Sequence, residues 1–187
     1  MSLVPAFEIG LWNAWIFMPY LFLIVIIVGK FKKGEEPGKT ELDAMNQHEK
    51  RIFNFSMLVF LSTLVYSIFL PLNLGTVWFY AGISITLIGL LALTIAMVNF
   101  TTTLWDEPVT KGLYHYSRHP VYIAVAIFLL GVGIASASWL FLLLSIVFTI
   151  LNSLRAINEE RFCLGKYGDA YRKYMNRTPR WLGMPKS

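Results

Sequence analysis

Eleven residues, Gly112-Leu-Tyr-His-Tyr-Ser-Arg-His-Pro-Val-Tyr122, gather two imidazoles, three phenols and a guanidinium, and one apolar hairpin later the chain reads Arg155-Ala-Ile-Asn-Glu-Glu160. Groups of these types bind charged ligands, orient a carboxylate or phosphate, and take up or release a proton. Both clusters border strongly apolar chain. A charge held within the membrane costs about 2.5–3.5 kcal/mol on insertion scales, so a cluster of ionisable residues there reads as a functional site. Arg155 and Glu159 are four apart and therefore share a helix face, at the last turn of an otherwise apolar helix, which reads as an inward-facing pair.

The elements that must position these residues are membrane helices. Hydrophobic residues make up 56% of the 187 and charged residues only 14%, far from the soluble average. Five apolar stretches, 11–28, 52–70, 77–98, 120–136 and 139–154, predict an all-α polytopic bundle of about five helices forming a single membrane domain. The first three are long enough to cross about 30 Å of hydrocarbon, whereas the last two reach only about 24–26 Å and should form a tight hairpin around Ala135-Ser-Ala-Ser138. Small residues Ala124, Gly131 and Ala135 would let that hairpin pack closely.

All sixteen Lys and Arg residues fall in three segments, 30–51, 111–118 and 155 onward. With five crossings these segments share one face, which the positive-inside rule makes cytoplasmic, so the N-terminus lies outside and the C-terminus inside. The net charge of +5 is then explained by topology and by attraction to anionic membrane lipid, with no nucleic-acid partner required. The first 28 residues lack a basic n-region and a small-residue cleavage site and read as a retained helix. Cys163 is the sole cysteine, which excludes an intramolecular disulfide and a Cys-based metal site.

Residues 30–51, with Gly34-Glu-Glu-Pro-Gly38 and mixed charge, read as a linker whose second half is a surface helix ending at Lys50-Arg51, apart from the chemistry. The segment 99–119 is the polar heart: Asn99 and three threonines leave the third helix, Asp106-Glu-Pro-Val109 breaks the chain's course, Gly112 permits a turn, and Pro120 opens the next helix at its first turn. After Arg155 a basic aromatic tail, Tyr167-Gly-Asp-Ala-Tyr171-Arg-Lys-Tyr174 and Arg177-Thr-Pro-Arg180, is too polar to cross and should fold back over the cytoplasmic mouth. His115 and His119 have a spacing that could face a metal, but with His48 the only other histidine the ligands run short and no metal site is expected. No Gly-rich nucleotide loop of the Rossmann or Walker kind is present.

The order Pro108-Val-Thr-Lys-Gly-x-Tyr114, Arg118-His-Pro-x-Tyr122, a hydrophobic hairpin, Arg155-x-x-x-Glu-Glu160, then Tyr167-Gly-x-x-Tyr-x-x-Tyr174-x-x-Arg177-x-Pro resembles the isoprenylcysteine carboxyl methyltransferase and phospholipid methyltransferase group of integral membrane enzymes. The resemblance covers residues 99–180. It implies S-adenosyl-L-methionine as methyl donor, and a lipophilic acceptor that enters from the bilayer. Carried over position by position, it implies that Asn99, Asp106, Glu107, Pro108 and Val109 line the nucleoside and amino-acid ends of the donor. Tyr114, His119, Pro120, Val121 and Tyr122 form the central wall, and Glu159 binds the donor from the last helix. Arg155 matches a substrate-contacting arginine, with Arg177 a second from the tail. Members of the group often carry His or Gln where this chain has Asp106 and Asn99.

The acceptor stays open at this point among an isoprenylcysteine carboxylate, a phospholipid amine, a small thiol and a quinone-like lipid. A carboxylate nucleophile needs no general base, whereas an amine or thiol would need one, for which Glu159, Glu160 and His119 are the local candidates. Two other readings share these motifs: a shortened relative of NADPH-dependent sterol reductases, and a non-catalytic membrane protein of the same fold.

Overall fold

The computed structural model describes residues 7–32 and 41–185, and their regular structure is helical apart from one isolated bridge between Asn13 and Pro71. The Gly34–Gly38 part of the expected linker lies outside the described residues.

The first apolar stretch is not one long helix. A short 3-10 turn, Ala14–Phe17, is followed by helix α1, Pro19–Phe31, whose thirteen residues span about 20 Å. The reason is Pro19: proline cannot occupy a helix interior without losing a hydrogen bond and clashing with the preceding turn, but it fits the first position.

Helix α2, Glu41–Ala44, is a single turn, and α3, Gln47–Ile68, begins immediately after it. Asn46 caps α3 reciprocally: its Oδ1 accepts from the Glu49 amide at 2.9 Å, while its own amide donates to Glu49 Oε2 at 2.8 Å. That cap places Lys50-Arg51 inside the start of α3, not at the end of a surface helix as the charge pattern suggested.

Helix α4, Val77–Thr101, is capped by Thr76, and helix α5, Pro120–Ala135, starts at the proline as expected. The tight hairpin is also present: Ser136–Ser138 joins α5 to α6, Trp139–Tyr167, with Ala137 in the left-handed region at φ 48° and Ser138 capping α6. Helix α6 runs 29 residues, about 43 Å, well beyond the end of its apolar stretch at 154. After Gly168 comes α7, Asp169–Arg177, and the chain beyond it pairs with the 112–119 loop through Arg118 N to Pro179 O and Gly183 N to Tyr116 O, both 3.1 Å.

Among the described helices α3, α4 and α6 are long and apolar enough to cross a membrane, and α1 and α5 are shorter apolar helices. The tightest seam is α4 on α5. A Cβ added at Gly82 would sit 2.1 Å from Ala135 N, one at Gly89 2.5 Å from Phe128 N, and one at Gly131 2.4 Å from Thr86 N. In lipid there is little hydrophobic gain in bringing helices together, so backbone-close van der Waals contact supplies the attraction. Gly131 and Ala135 therefore serve the α4–α5 seam, whereas Gly133 is the glycine that faces α6, at Leu142 and Phe141. On the other side α3 packs on α6, with Phe60 stacked on Phe148 and the Tyr66 hydroxyl 3.0 Å from Ser138 Oγ.

Gly131→Ala should overpack the α4–α5 seam, at a cost of about 1–3 kcal/mol. Gly165→Ala, on α6 with open space around it, should be neutral or slightly stabilising through helix propensity. Thermal unfolding midpoints in detergent check the pair: a drop at 131 and none at 165 is the expected result.

Candidate functional site

Where α6 meets the 112–119 loop and the tail, the carboxylate of Glu160, 3% exposed, is surrounded by cations. Its Oε1 accepts from His119 Nε2 at 3.1 Å and Arg180 Nε at 3.0 Å and lies 3.4 Å from Arg118 Nη2, while Oε2 accepts from Arg180 Nη2 at 2.7 Å. A buried carboxylate is tolerated only when its lone pairs are met in this way. Glu160 is thus the joint that fastens the 112–119 loop and the tail to α6.

Its neighbour Glu159 points elsewhere, because successive helical residues diverge by about 100°. Glu159 Oε2 accepts from the Tyr122 hydroxyl at 2.8 Å and lies 3.5 Å from His119 Nδ1. His119 therefore bridges two glutamates with its two ring nitrogens, stacked on Tyr122 at 5.3 Å and flanked by Trp181 at 5.8 Å. Burial works against an imidazolium, but the hydrogen bonds and charges of Glu159 and Glu160 outweigh it and lift His119 to about 8.

Two cavities meet here. The smaller, about 200 Å³, is lined by Glu41, Met97, Phe100, Tyr114, Arg118, His119, Val121, Tyr122 and Glu159. The larger, about 500 Å³, is an apolar chamber between α1, α3, α4, α5 and α6, walled by residues such as Leu21, Phe60, Leu93, Val125 and Phe148 and closed at its polar end by Tyr122, Asn152 and Arg155. Met97, Val121 and Tyr122 belong to both. Arg155 and Glu159 thus share a helix face yet open into different cavities. The Arg155 guanidinium lies over the Phe53 ring at 4.6 Å and donates through Nη1 to Asn152 Oδ1 at 3.1 Å, while its Nε is buried without a partner among the described residues.

The profile of the phospholipid methyltransferase family matches residues 70–170, over half of the chain and the whole of α4, α5 and the walls that α6 contributes. This chain belongs to that family. It is also similar to protein-S-isoprenylcysteine O-methyltransferases: that of Schizosaccharomyces pombe is 35% identical over 72 residues, 38% of this chain and 30% of the relative. That of Dictyostelium discoideum is 26% identical over 155 residues, 71% of this chain and 60% of the relative. The matches span less than two thirds of either relative's length.

For this phospholipid methyltransferase family member, the structure brings together Tyr114, His119, Val121, Tyr122 and Glu159 around the polar cavity, and Arg155 at the polar end of the apolar one. Asn99, Asp106, Glu107, Pro108, Val109 and Pro120 do not line the polar cavity. Asn99 instead fixes the loop: its Oδ1 accepts from Leu113 N at 3.1 Å, and its side chain fills the space a Cβ on Gly112 (φ 60°) would need. Asp106 and Glu107 are exposed, and Pro120 is buried at the start of α5. Arg177 is exposed in a separate cleft with His115 and Lys173, so His115 and His119 serve different cavities.

Two residues of the site had no local sequence signal. Arg180 sits in a tail legible only as basic and aromatic, and Glu41 lies in a stretch whose composition reads as solvated linker; Arg118 stands in the quoted motif, which gave it no role of its own.

Because His119 is raised above its ordinary 6.5, the stabilisation its charge provides is complete below about 6.5 and is lost as pH rises through about 8. The thermal midpoint of the wild-type protein should exceed that of His119→Gln at pH 6, and the gap should narrow progressively by pH 9. A gap independent of pH would mean that the imidazole is neutral between the glutamates.

Proposed function

We propose that this protein is an integral membrane methyltransferase that uses S-adenosylmethionine to methylate the carboxylate of a lipophilic, isoprenylcysteine-type acceptor. The observation that carries this reading is the pair of cavities, one polar and one apolar, sharing Met97, Val121 and Tyr122 as a common wall. A reaction between a charged soluble donor and a lipid needs two such compartments in contact.

The residues fit the donor. It carries two cationic groups, a sulfonium and an ammonium, and the polar cavity offers carboxylates at Glu159 and Glu41, the latter with a buried Oε1 unpartnered among the described residues, beside the aromatic walls Phe100, Tyr114 and Tyr122. When bound, the donor supplies an electrophilic methyl group on its sulfonium. Everything else falls to the chain. Glu159, oriented by Tyr122 and His119, binds the donor; Tyr122 stands at the boundary; and Arg155, with its free Nε, binds the acceptor's anionic group at the end of the apolar chamber. A carboxylate acceptor brings its own lone pair, so no proton has to be removed. Charge is annihilated as donor and acceptor react, which a water-poor site favours, and alignment of the two reactants is worth up to about 7–11 kcal/mol. The names of the two isoprenylcysteine O-methyltransferases support the same acceptor class.

Purified protein supplied with methyl-labelled donor should label a farnesyl-cysteine analogue in preference to total membrane phospholipid. Glu159→Gln should weaken donor binding ten- to a hundredfold, the loss expected for a charge-assisted hydrogen bond of about 1.5–3 kcal/mol. Arg155→Lys keeps the charge but not the planar fork that matches a carboxylate; it should retain donor affinity and lose at least tenfold in transfer rate. Wild-type turnover in the lysine variant would mean that Arg155 only snorkels toward headgroups.

The same reading has five crossings, N-terminus outside and cytoplasmic C-terminus, based on the one-sided basic residues. Cysteines introduced at Ser2 and Ser187, both outside the described residues, in a Cys163→Ala background should react with an impermeant reagent from opposite sides. Reaction from one side would require an even number of crossings.

A further inference from the structure

Three carboxylates surround the polar cavity or stand directly behind it, and they differ in how fully they are occupied. Glu160 is saturated by Arg118, His119 and Arg180, and Glu159 is shared between Tyr122 and His119. Glu41 is the third. It lines the cavity, is half-buried, and its Oε1 is buried without any hydrogen-bond partner among the described residues. A buried carboxylate oxygen left in this state is costly unless something supplies a donor hydrogen.

The position of Glu41 is built, not incidental. The single turn of α2 is tied to α6 through Arg161, whose Nη2 reaches Ala44 O at 3.5 Å and whose guanidinium forms a two-pronged pair with Glu49, 2.6 Å at each contact. Glu49 in turn is locked by the Asn46 capping box. The clamp therefore sets α2 against the same helix that carries Glu159. Burial first, and then the neighbouring Glu159 charge, push Glu41 up to about 7, with Arg155 and His119 pulling the other way. Of the cationic groups in the lining, His119 is shared between Glu159 and Glu160 and Arg118 lies against Glu160, so among the described residues none donates a hydrogen bond to Glu41 Oε1.

We infer that Glu41 is a donor-binding residue whose carboxylate accepts hydrogen bonds from the donor's ammonium group. This rests on the methyl-donor reading above. Of the donor's two cationic groups only the ammonium has N–H hydrogens to give to an unpartnered oxygen; the sulfonium has none and is better served by the aromatic faces of Tyr114, Tyr122 and Phe100. The assignment divides the donor by chemistry: the amino-acid end goes toward α2, and the sulfonium toward the wall shared with the apolar chamber.

The test compares two nucleosides, S-adenosylhomocysteine, which has the ammonium, and 5′-methylthioadenosine, which lacks the entire amino-acid end. Calorimetry on the full chain in detergent should show Glu41→Gln weakening S-adenosylhomocysteine at least tenfold and leaving methylthioadenosine within twofold. Equal loss for both would mean that Glu41 only shapes the cavity, and no loss for either would mean that it faces no ligand; each overturns the assignment. Loss confined to an amine acceptor, with S-adenosylhomocysteine unaffected, would move Glu41 to the acceptor side and also overturn it. A wild-type protein that binds neither nucleoside overturns the donor reading itself, and with it this assignment. The thermal midpoint of Glu41→Gln guards against misfolding, and a variant that fails to fold is replaced by Glu41→Asp. There the carboxylate is kept but withdrawn by one methylene, and a selective loss for S-adenosylhomocysteine is again expected.

Discussion

Glu160 holds the polar end of the helix bundle together. Its carboxylate is the common acceptor for cations from the 118–119 loop and from the tail at 180, segments joined besides by backbone bonds and by hydroxyl bonds from Ser117, Tyr174 and Thr178. Removing one partner of a buried charged pair costs about 3–5 kcal/mol, far more than any single loop contact returns. The arrangement also dictates direction. With Glu160 held outward against loop and tail, the helix leaves Glu159 aimed at Tyr122 and the polar cavity. His119, bonded to both, couples the structural glutamate to the one in the cavity, so the tail sets the geometry of the site without entering it.

The second constraint is the lipid itself. Helices α4 and α5 approach so closely at Gly82, Gly89 and Gly131 that no side chain fits between them. Toward the 112–119 loop the facing residues become Met97 on α4 and Val121 and Tyr122 on α5, and the space between helices opens into the two cavities. Small residues that pack and larger ones that line a chamber are thus successive parts of the same pair of helices. Tyr122 can serve both chambers because its ring is apolar and its hydroxyl is committed to Glu159.

Much of this was legible in the sequence, for identifiable reasons. Apolar runs mark membrane helices, proline marks the start of α5, and Arg155 and Glu159 fall on one face of α6 because a helix repeats every 3.6 residues. What failed to read correctly failed where hydropathy stands in for helix length. The 11–28 stretch is apolar throughout, yet Pro19 divides it; the run at 139–154 ends in hydropathy, yet α6 continues to Tyr167, since loop and tail cover its polar residues. The family resemblance implies donor contacts for Asn99 and Asp106; neither lines the polar cavity, and the Asn99 side chain is engaged in holding Gly112 and Leu113. Side-chain hydrogen bonds of this kind leave no periodic trace.

Glu41 and Arg180 make the same point from the other side. Neither belongs to a motif, and both lie among charges that composition assigns to solvent. Their roles come from where tertiary clamps carry them, Glu41 by way of Arg161 and Glu49, Arg180 by way of the backbone pairs between tail and loop. The contrast between them is one of saturation. Arg180 forms a two-pronged pair within the protein and is finished as an interaction, whereas Glu41 keeps a buried oxygen to which none of the described residues donates. Glu160 is met by three cationic side chains behind the cavity and Glu41 stands on the cavity wall, so the charge that ties loop and tail to α6 is distinct from the charge that faces the cavity.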